Sequence, residues 1–170
     1  QDYSCLTIIG KSGLRADVAA VIYTNTLGTD AFAFEAAELC KDYYNPLLSV
    51  DNIGIGRAVI DKLKELAYPN LYYPTDKEGN RKEKAGWSLT QPNKRELVTK
   101  LVESINNGSL VTAFKPQVKE LMEYQYVNGY PEPTGRTHGD TVIALMLAHE
   151  MIKRVGGNQE ASLYVGGVKI

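Results

Sequence analysis

A short apolar run that ends on an aspartate constrains this chain more than any other feature of its sequence. Residues 47–51 form an apolar strand-like segment that ends on Asp51, and two glycines follow closely. Apolar residues then recur at helical spacing over residues 55–67, and residues 70–73 read as another short strand. A strand–helix–strand run places its two strands parallel with a right-handed crossover. The sequence therefore predicts an α/β domain.

The segments around this unit predict a mixed sheet flanked by helices. Residues 3–9 and 16–24 are rich in β-forming residues and enclose a glycine-containing turn, which predicts an antiparallel hairpin. A polar loop covers residues 74–90, and loops of that length are usually functional or disordered. The other predicted elements are helices at 31–43, 92–106, 115–124 and 140–154 and a final strand within 163–170. We expect residues 1–170 to form a single domain.

The composition is ordinary for a soluble globular chain. The 170 residues are 44% hydrophobic and 23% charged, which is enough for one sizeable core. No apolar run approaches the roughly 18 residues of a membrane span, and no basic leader opens the chain. Cys5 and Cys40 lie in apolar runs and are predicted to be core thiols in a reducing compartment. Because the net charge is only -1, nucleic-acid binding would need a local basic patch, a metal ion or a tethered partner.

Two aspartates stand at the ends of predicted buried elements. Asp51 ends the apolar strand, and Asp140 begins the very apolar helix at 140–154. If folding brings these carboxylates together, they repel each other and a divalent cation relieves the repulsion, as metal-dependent phosphodiester cleavage requires. Each aspartate also has a structural alternative. Asp51 or Asn52 can form an Asx turn, and Asp140 can be the N-cap of its helix.

Other motifs carry less weight. Gly54 and Gly56 resemble part of a dinucleotide fingerprint, but Val59 stands where the third glycine belongs, so a nucleotide-binding interpretation is disfavoured. The two histidines match no zinc-ligand spacing. His138 lies two residues before Asp140 and is a candidate for contact with a phosphate or a bound water.

Basic residues and a tryptophan share the polar loop at 74–90 and the segment after it. This mixture suits a phosphate backbone, although acidic neighbours nearly cancel the charge and a solvated loop is the alternative. The candidate DNA-contacting residues are Lys82, Lys84, Trp87, Lys94, Arg136 and His138.

Several short motifs follow one another along the chain in a fairly specific order and spacing. They are Asp2-Tyr3-Ser4, Phe32-Ala33, Leu39, Tyr43-Tyr44-Asn45, residues 50–56, Gly86-Trp87, residues 138–142, Ala144 and Leu147-Ala148. Together they resemble the nuclease domain of the large terminase subunit of tailed bacteriophages, and the resemblance covers essentially the whole chain.

The resemblance implies an RNase H-like (retroviral integrase-like) fold. It implies a metal-dependent endonuclease that cuts concatemeric double-stranded viral DNA at the start and end of genome packaging. The implied partners are DNA, a terminase ATPase domain, the small terminase subunit and the portal, in the host cytoplasm rather than in the mature virion, with no membrane. Since an ATPase domain precedes the nuclease in the family, we expect this chain to be an isolated C-terminal nuclease domain.

The resemblance also assigns site residues. Asp51 matches the family's acid at the end of the strand after the first helix, and Asp140 matches the acid at the head of the last helix. Asp2 matches an acid just beyond the first catalytic aspartate, and Gly139 replaces the first of two adjacent acids often found there. That first catalytic aspartate would lie on a central strand before Gln1, and the C-terminal strand is a candidate to fill the gap.

The implied mechanism is phosphodiester hydrolysis assisted by two Mg²⁺ or Mn²⁺ ions about 4 Å apart. Asp51 would bridge the ions, Asp140 would bind one of them, and Asp2 would bind a water or the second ion. Two other classes of protein stay open. One is another RNase H-like nuclease such as a Holliday-junction resolvase, which would share the acids. The other is a non-catalytic docking or regulatory domain of a packaging motor.

Overall fold

The computed structural model describes residues 3–135, 138–155 and 163–170. The elements in chain order are β1 (Ser4–Ser12), β2 (Arg15–Thr24), α1 (Thr29–Asp42), β3 (Leu47–Val50), α2 (Gly56–Glu65), α3 (Gln91–Asn106), β4 (Leu110–Val111), α4 (Lys115–Glu123), β5 (Tyr124–Val127), β6 (Tyr130–Pro133), α5 (Asp140–Arg154) and β7 (Leu163–Lys169). Helices flank a mixed five-stranded sheet, which confirms the predicted α/β class.

Strand β7 lies inside the sheet although it is the last strand of the chain. The strand order is β3-β7-β1-β2-β4. β1 pairs antiparallel with both β2 and β7, and β7 pairs parallel with β3. The predicted hairpin and the predicted C-terminal strand are therefore confirmed. β7 lies between β3 and β1, which agrees with the expectation that the C-terminal strand fills a gap in the sheet.

The second parallel strand of the predicted strand–helix–strand unit is reduced to a single bridge. Leu48 forms a parallel bridge with Leu71, and the Tyr72 N–H donates to the Leu48 carbonyl at 2.9 Å. The polar loop that follows returns to β3, where the Trp87 N–H donates to the Val50 carbonyl at 2.7 Å. These hydrogen bonds hold the end of the loop beside the end of β3.

The sheet separates two hydrophobic clusters, because alternate residues of a strand face opposite sides. On one face, Leu6 and Ile8 of β1 and Val168 of β7 pack with α1 and α2. On the other face, Val165 of β7 packs with α3 and α5. The β1–β2 register shifts between Ile8 and Ile9, and Ile9 belongs to the second cluster.

Helix α5 is buried on all sides along most of its length. Every residue from Asp140 to Met151 is buried. The helix contacts β7, β1 and β3 on one side and α3 and α4 on the other. A helix that is apolar nearly all round requires such cover. Its first residue, Asp140, is therefore held firmly against the sheet.

Strands β5 and β6 form a separate antiparallel hairpin that is absent from the predicted elements. Asn128 and Gly129 make its turn with φ angles of 52° and 82°. None of the described helices combines the length and apolar character needed to cross a membrane.

Candidate active site

Asp51 directly follows β3, on the face of the sheet that α5 covers. Leu48 and Val50 pack on the opposite face, so strand alternation turns Asp51 towards α5. The Asp51 N–H donates to the Val168 carbonyl at 2.9 Å, which fixes Asp51 beside the end of β7. A Cβ atom at Gly56 would lie 1.7 Å from the Asp51 carbonyl oxygen, so the start of α2 approaches Asp51 as closely as only glycine allows.

The Asp51 carboxylate has one partnered oxygen and one unpartnered oxygen among the described residues. Oδ2 accepts a hydrogen bond from Lys169 Nζ at 2.9 Å, whereas Oδ1 is buried without a hydrogen-bond partner. The Asn52 side chain donates to the Ala85 carbonyl and accepts from the Ser88 hydroxyl. These contacts take the place of an Asx turn, so the structural alternative for Asp51 and Asn52 is wrong.

Asp140 is the first helical residue of α5 and not its cap. The N-cap is Gly139, in the left-handed region with a φ of 77°, and no side-chain hydrogen bond caps this end. Asp140 is 5% exposed, and its Oδ2 accepts a hydrogen bond from the Tyr3 N–H at 3.4 Å, just before β1. The N-cap interpretation is therefore wrong. Asp140 instead contacts Tyr3, the residue before β1. The dipole of α5 favours a negative charge at this position.

Glu120 of α4 is a buried carboxylate that the sequence analysis does not identify. It is 1% exposed, and its Oε2 accepts hydrogen bonds from the Thr141 N–H at 2.9 Å and the Thr141 hydroxyl at 2.5 Å. Glu120 thus satisfies a free N–H in the first turn of α5, as an N-cap side chain otherwise does. No motif links the two residues, since they meet only because α4 packs on α5.

The environment of Asp140 favours its neutral form. Burial raises the pKa of the Asp140 carboxyl above its usual value, and the negative charge of Glu120 acts in the same direction. The hydrogen bond from Tyr3 and the positive charges of Lys169 and His138 lower that pKa in opposition. A cation near Asp140 therefore favours the ionised carboxylate that metal binding needs.

The fit of a divalent ion depends on the oxygen ligands that the site offers. Mg²⁺ and Mn²⁺ prefer oxygen ligands, and the unpartnered Oδ1 of Asp51 is one. Within residues 3–135, 138–155 and 163–170, no three Asp, Glu, His or Cys side chains are grouped to hold an ion. The predicted third ligand, Asp2, lies outside the described residues. The described residues therefore contribute two buried carboxylates, those of Asp51 and Asp140, and no grouped set of three ligands.

A basic groove of about 460 Å³ opens beside Asn52, the residue after Asp51. Three of the predicted DNA-contacting residues line it, namely Lys82, Lys84 and Trp87. Arg154, at the end of α5, also lines the groove, with its guanidinium carbon 5.4 Å from the centre of the Trp87 ring. No local sequence pattern connects Arg154 with the loop, because the two meet only through the packing of α5.

Two of the other predicted DNA-contacting residues, Lys94 and His138, do not line this groove. Lys94 Nζ lies 3.5 Å from a Glu132 carboxylate oxygen, so its charge is engaged by the β5–β6 hairpin. His138 is exposed and lies close enough to Asp140 for its charge to lower the pKa of that carboxyl. Arg136 lies outside the described residues.

The mixed sheet and its covering helices define an RNase H-like α/β fold. Two solved structures share it, both of the large terminase nuclease from thermophilic phage G20c, one with bound magnesium and one with bound cobalt. Each has a TM-score of 0.65 and 19% sequence identity, over 88% of this chain and 75% of that chain. No protein-family model and no curated protein sequence matches the chain. The likeness confirms the predicted fold.

Proposed function

We propose that this chain is a metal-dependent endonuclease domain that cleaves concatemeric double-stranded viral DNA during genome packaging. The observation that carries the proposal is that two buried carboxylates, those of Asp51 and Asp140, share one cationic neighbour. Lys169 Nζ lies 2.9 Å from Asp51 Oδ2, and the charge of Lys169 also lowers the pKa of Asp140. The fold supports it, since two structures with this fold are terminase nucleases with a bound divalent metal.

The metal ligands in this proposal are Asp51 and Asp140, with Asp2 as a third candidate. A bound Mg²⁺ or Mn²⁺ ion supplies a Lewis acid for the phosphate and lowers the pKa of a bound water. Asp51 offers its unpartnered Oδ1, and Asp140 is buried at the start of α5. The ion count, predicted to be two, is measured by calorimetric stoichiometry.

DNA binds, in this proposal, through the basic groove beside Asn52. Lys82 and Lys84 are exposed and carry charges that suit phosphates, and Trp87 and Arg154 also line the groove. None of these contacts resembles a base-reading helix, so we expect weak sequence preference. In the packaging role, the partners are the terminase ATPase domain, the small terminase subunit and the portal, in the host cytoplasm.

Cleavage of supercoiled plasmid in the presence of Mn²⁺ tests the proposal. We expect the parent chain to cut, and Asp51→Asn and Asp140→Asn to lose cleavage while remaining folded. Asp42→Asn is the matched control, because Asp42 is exposed at the end of α1, on the other face of the sheet. The site assignment is wrong if both site variants cut as well as the parent.

The competing classes are separated by the same preparation. A Holliday-junction resolvase would cut branched DNA in preference to plasmid, which a substrate panel reveals. A docking or regulatory domain would show neither cleavage nor a metal-dependent rise in melting temperature, and neither aspartate variant would change its behaviour.

A further inference from the structure

Lys169 places a fixed positive charge inside the candidate metal site. It is the last residue of β7, and Val168 beside it pairs with Val50 of β3, which brings Lys169 next to Asp51. On the other side, Lys169 pairs with Cys5 of β1. The side chain is 23% exposed, and its Nζ lies 2.9 Å from Asp51 Oδ2.

The ammonium satisfies half of the Asp51 carboxylate. Oδ2 has its charged partner, whereas Oδ1 is buried with no hydrogen-bond partner among the described residues. Leaving a buried carboxylate oxygen unpaired is unfavourable. The same carboxylate therefore has one oxygen held by a cation and one buried oxygen without a partner.

We propose that the Lys169 ammonium is a resident cation of this site, and that a divalent ion binds Asp51 only when Lys169 moves away. The inference rests on the proposed metal-dependent function and concerns how its site is controlled. An Mg²⁺ ion sits about 2.0–2.1 Å from its oxygen ligands, so an ion on Asp51 and an ammonium on the same carboxylate are close like charges. The two cations repel each other, so either the ammonium or the metal ion stabilises the site, but not both at once.

The Lys169 side chain can move away from Asp51 into solvent. Its side chain is partly exposed at the end of the strand, and a lysine stem is long and flexible enough to carry the ammonium into solvent. Asp51 is 5% exposed and cannot follow, so the carboxylate stays for the incoming ion. A metal site regulated in this way is stable without metal and binds metal more weakly than its carboxylates alone would.

Calorimetric titration of Mg²⁺ and Mn²⁺ into the parent chain and Lys169→Gln tests this competition. We expect Lys169→Gln to bind at least tenfold more tightly than the parent. We also expect a lower melting temperature without metal and a larger rise on adding Mg²⁺. Lys169→Arg keeps the charge and should bind metal as the parent does. Lys100→Gln is the matched control, because Lys100 is also ion-paired and 29% exposed but lies on α3 beside Glu96 and Glu150.

Equal or weaker metal binding by Lys169→Gln overturns the inference, and so does absence of metal binding in both proteins. If Lys169→Gln needs metal to fold, its melting temperature as a function of Mg²⁺ concentration gives the same comparison. Plasmid cleavage is scored separately. Tighter metal binding without any cleavage supports the role of Lys169 and counts against the nuclease. If the parent cleaves plasmid and Lys169→Gln binds metal as the parent does, the result supports the nuclease and counts against the role of Lys169.

Discussion

Replacing Gly167 with alanine should strongly destabilise the chain, because β7 lies directly against the backbone of α5. A Cβ atom at Gly167 would lie 2.1 Å from the Ala144 carbonyl oxygen and 2.4 Å from the Ala148 nitrogen. Comfortable contacts between such atoms are about 3.5 Å, so β7 and α5 must separate by roughly 1 Å or more. Overpacking costs about 1–3 kcal/mol and occasionally more. The atoms in the way belong to the α5 backbone, so they cannot move aside by a change of rotamer as a side chain can. We expect a loss of about 3 kcal/mol or more in the free energy of unfolding.

Gly166→Ala is the matched control on the same strand. Its Cβ would meet Leu48 Cδ1 at 2.7 Å, which is the far end of a flexible side chain that can change rotamer. We expect a loss of about 1 kcal/mol or less in urea denaturation, partly offset by the lower backbone entropy of the unfolded alanine chain. If Gly167→Ala is no more destabilising than Gly166→Ala, β7 does not lie on α5 as described. The placement of Lys169 beside Asp51 would then be wrong as well, because Lys169 belongs to β7.

Three further measurements probe the surroundings of the site. Glu120→Gln weakens the acceptor of the Thr141 N–H and hydroxyl, so the free energy of unfolding should fall by about 1–3 kcal/mol in urea denaturation. Burial, followed by nearby lysine charges, lowers the pKa of His149, so the unfolded chain binds a proton that the folded chain does not. Stability should therefore fall as the pH drops below about 6.5, and His149→Gln should lessen that fall. Lys84→Gln should reduce the slope of log affinity for DNA against log salt by about 1, whereas Lys41→Gln, on α1, should leave it unchanged.

Much of the fold could be predicted because its main elements are strongly periodic. Helix α5 begins and ends where its apolar run predicts, and α3 differs from its predicted bounds by one residue at its start. The hairpin of β1 and β2 also forms as predicted, although β1 extends three residues beyond its predicted end. Strand β4 could not be found in this way, because two residues paired with β2 are too few to show alternation.

The turn of the β5–β6 hairpin is visible in the sequence. Asn128-Gly129 is a strong turn dipeptide, since both residues adopt positive φ angles in a tight hairpin, and the structure uses it so. Its neighbours include several prolines, which argue against a strand, so no hairpin stands among the predicted elements.

The site was partly predictable for a different reason. Asp51 directly follows a buried strand and Asp140 begins a buried helix, and such positions are visible in a sequence. Lys169 and Glu120 reach the site through sheet order and helix packing, which no local pattern records. The place of β7 between β3 and β1 is the decisive case, because a strand at the end of the chain supplies the neighbour of Asp51.

Calorimetric titration of Mg²⁺ into the parent, Asp51→Asn, Asp140→Asn and Asp42→Asn tests most directly whether the two buried carboxylates form a metal site. We predict saturable binding by the parent and by Asp42→Asn, and its loss in the other two variants while their circular dichroism spectra stay those of the parent. Undiminished Mg²⁺ binding by folded Asp51→Asn and Asp140→Asn would contradict the account, because the ion would then be held elsewhere.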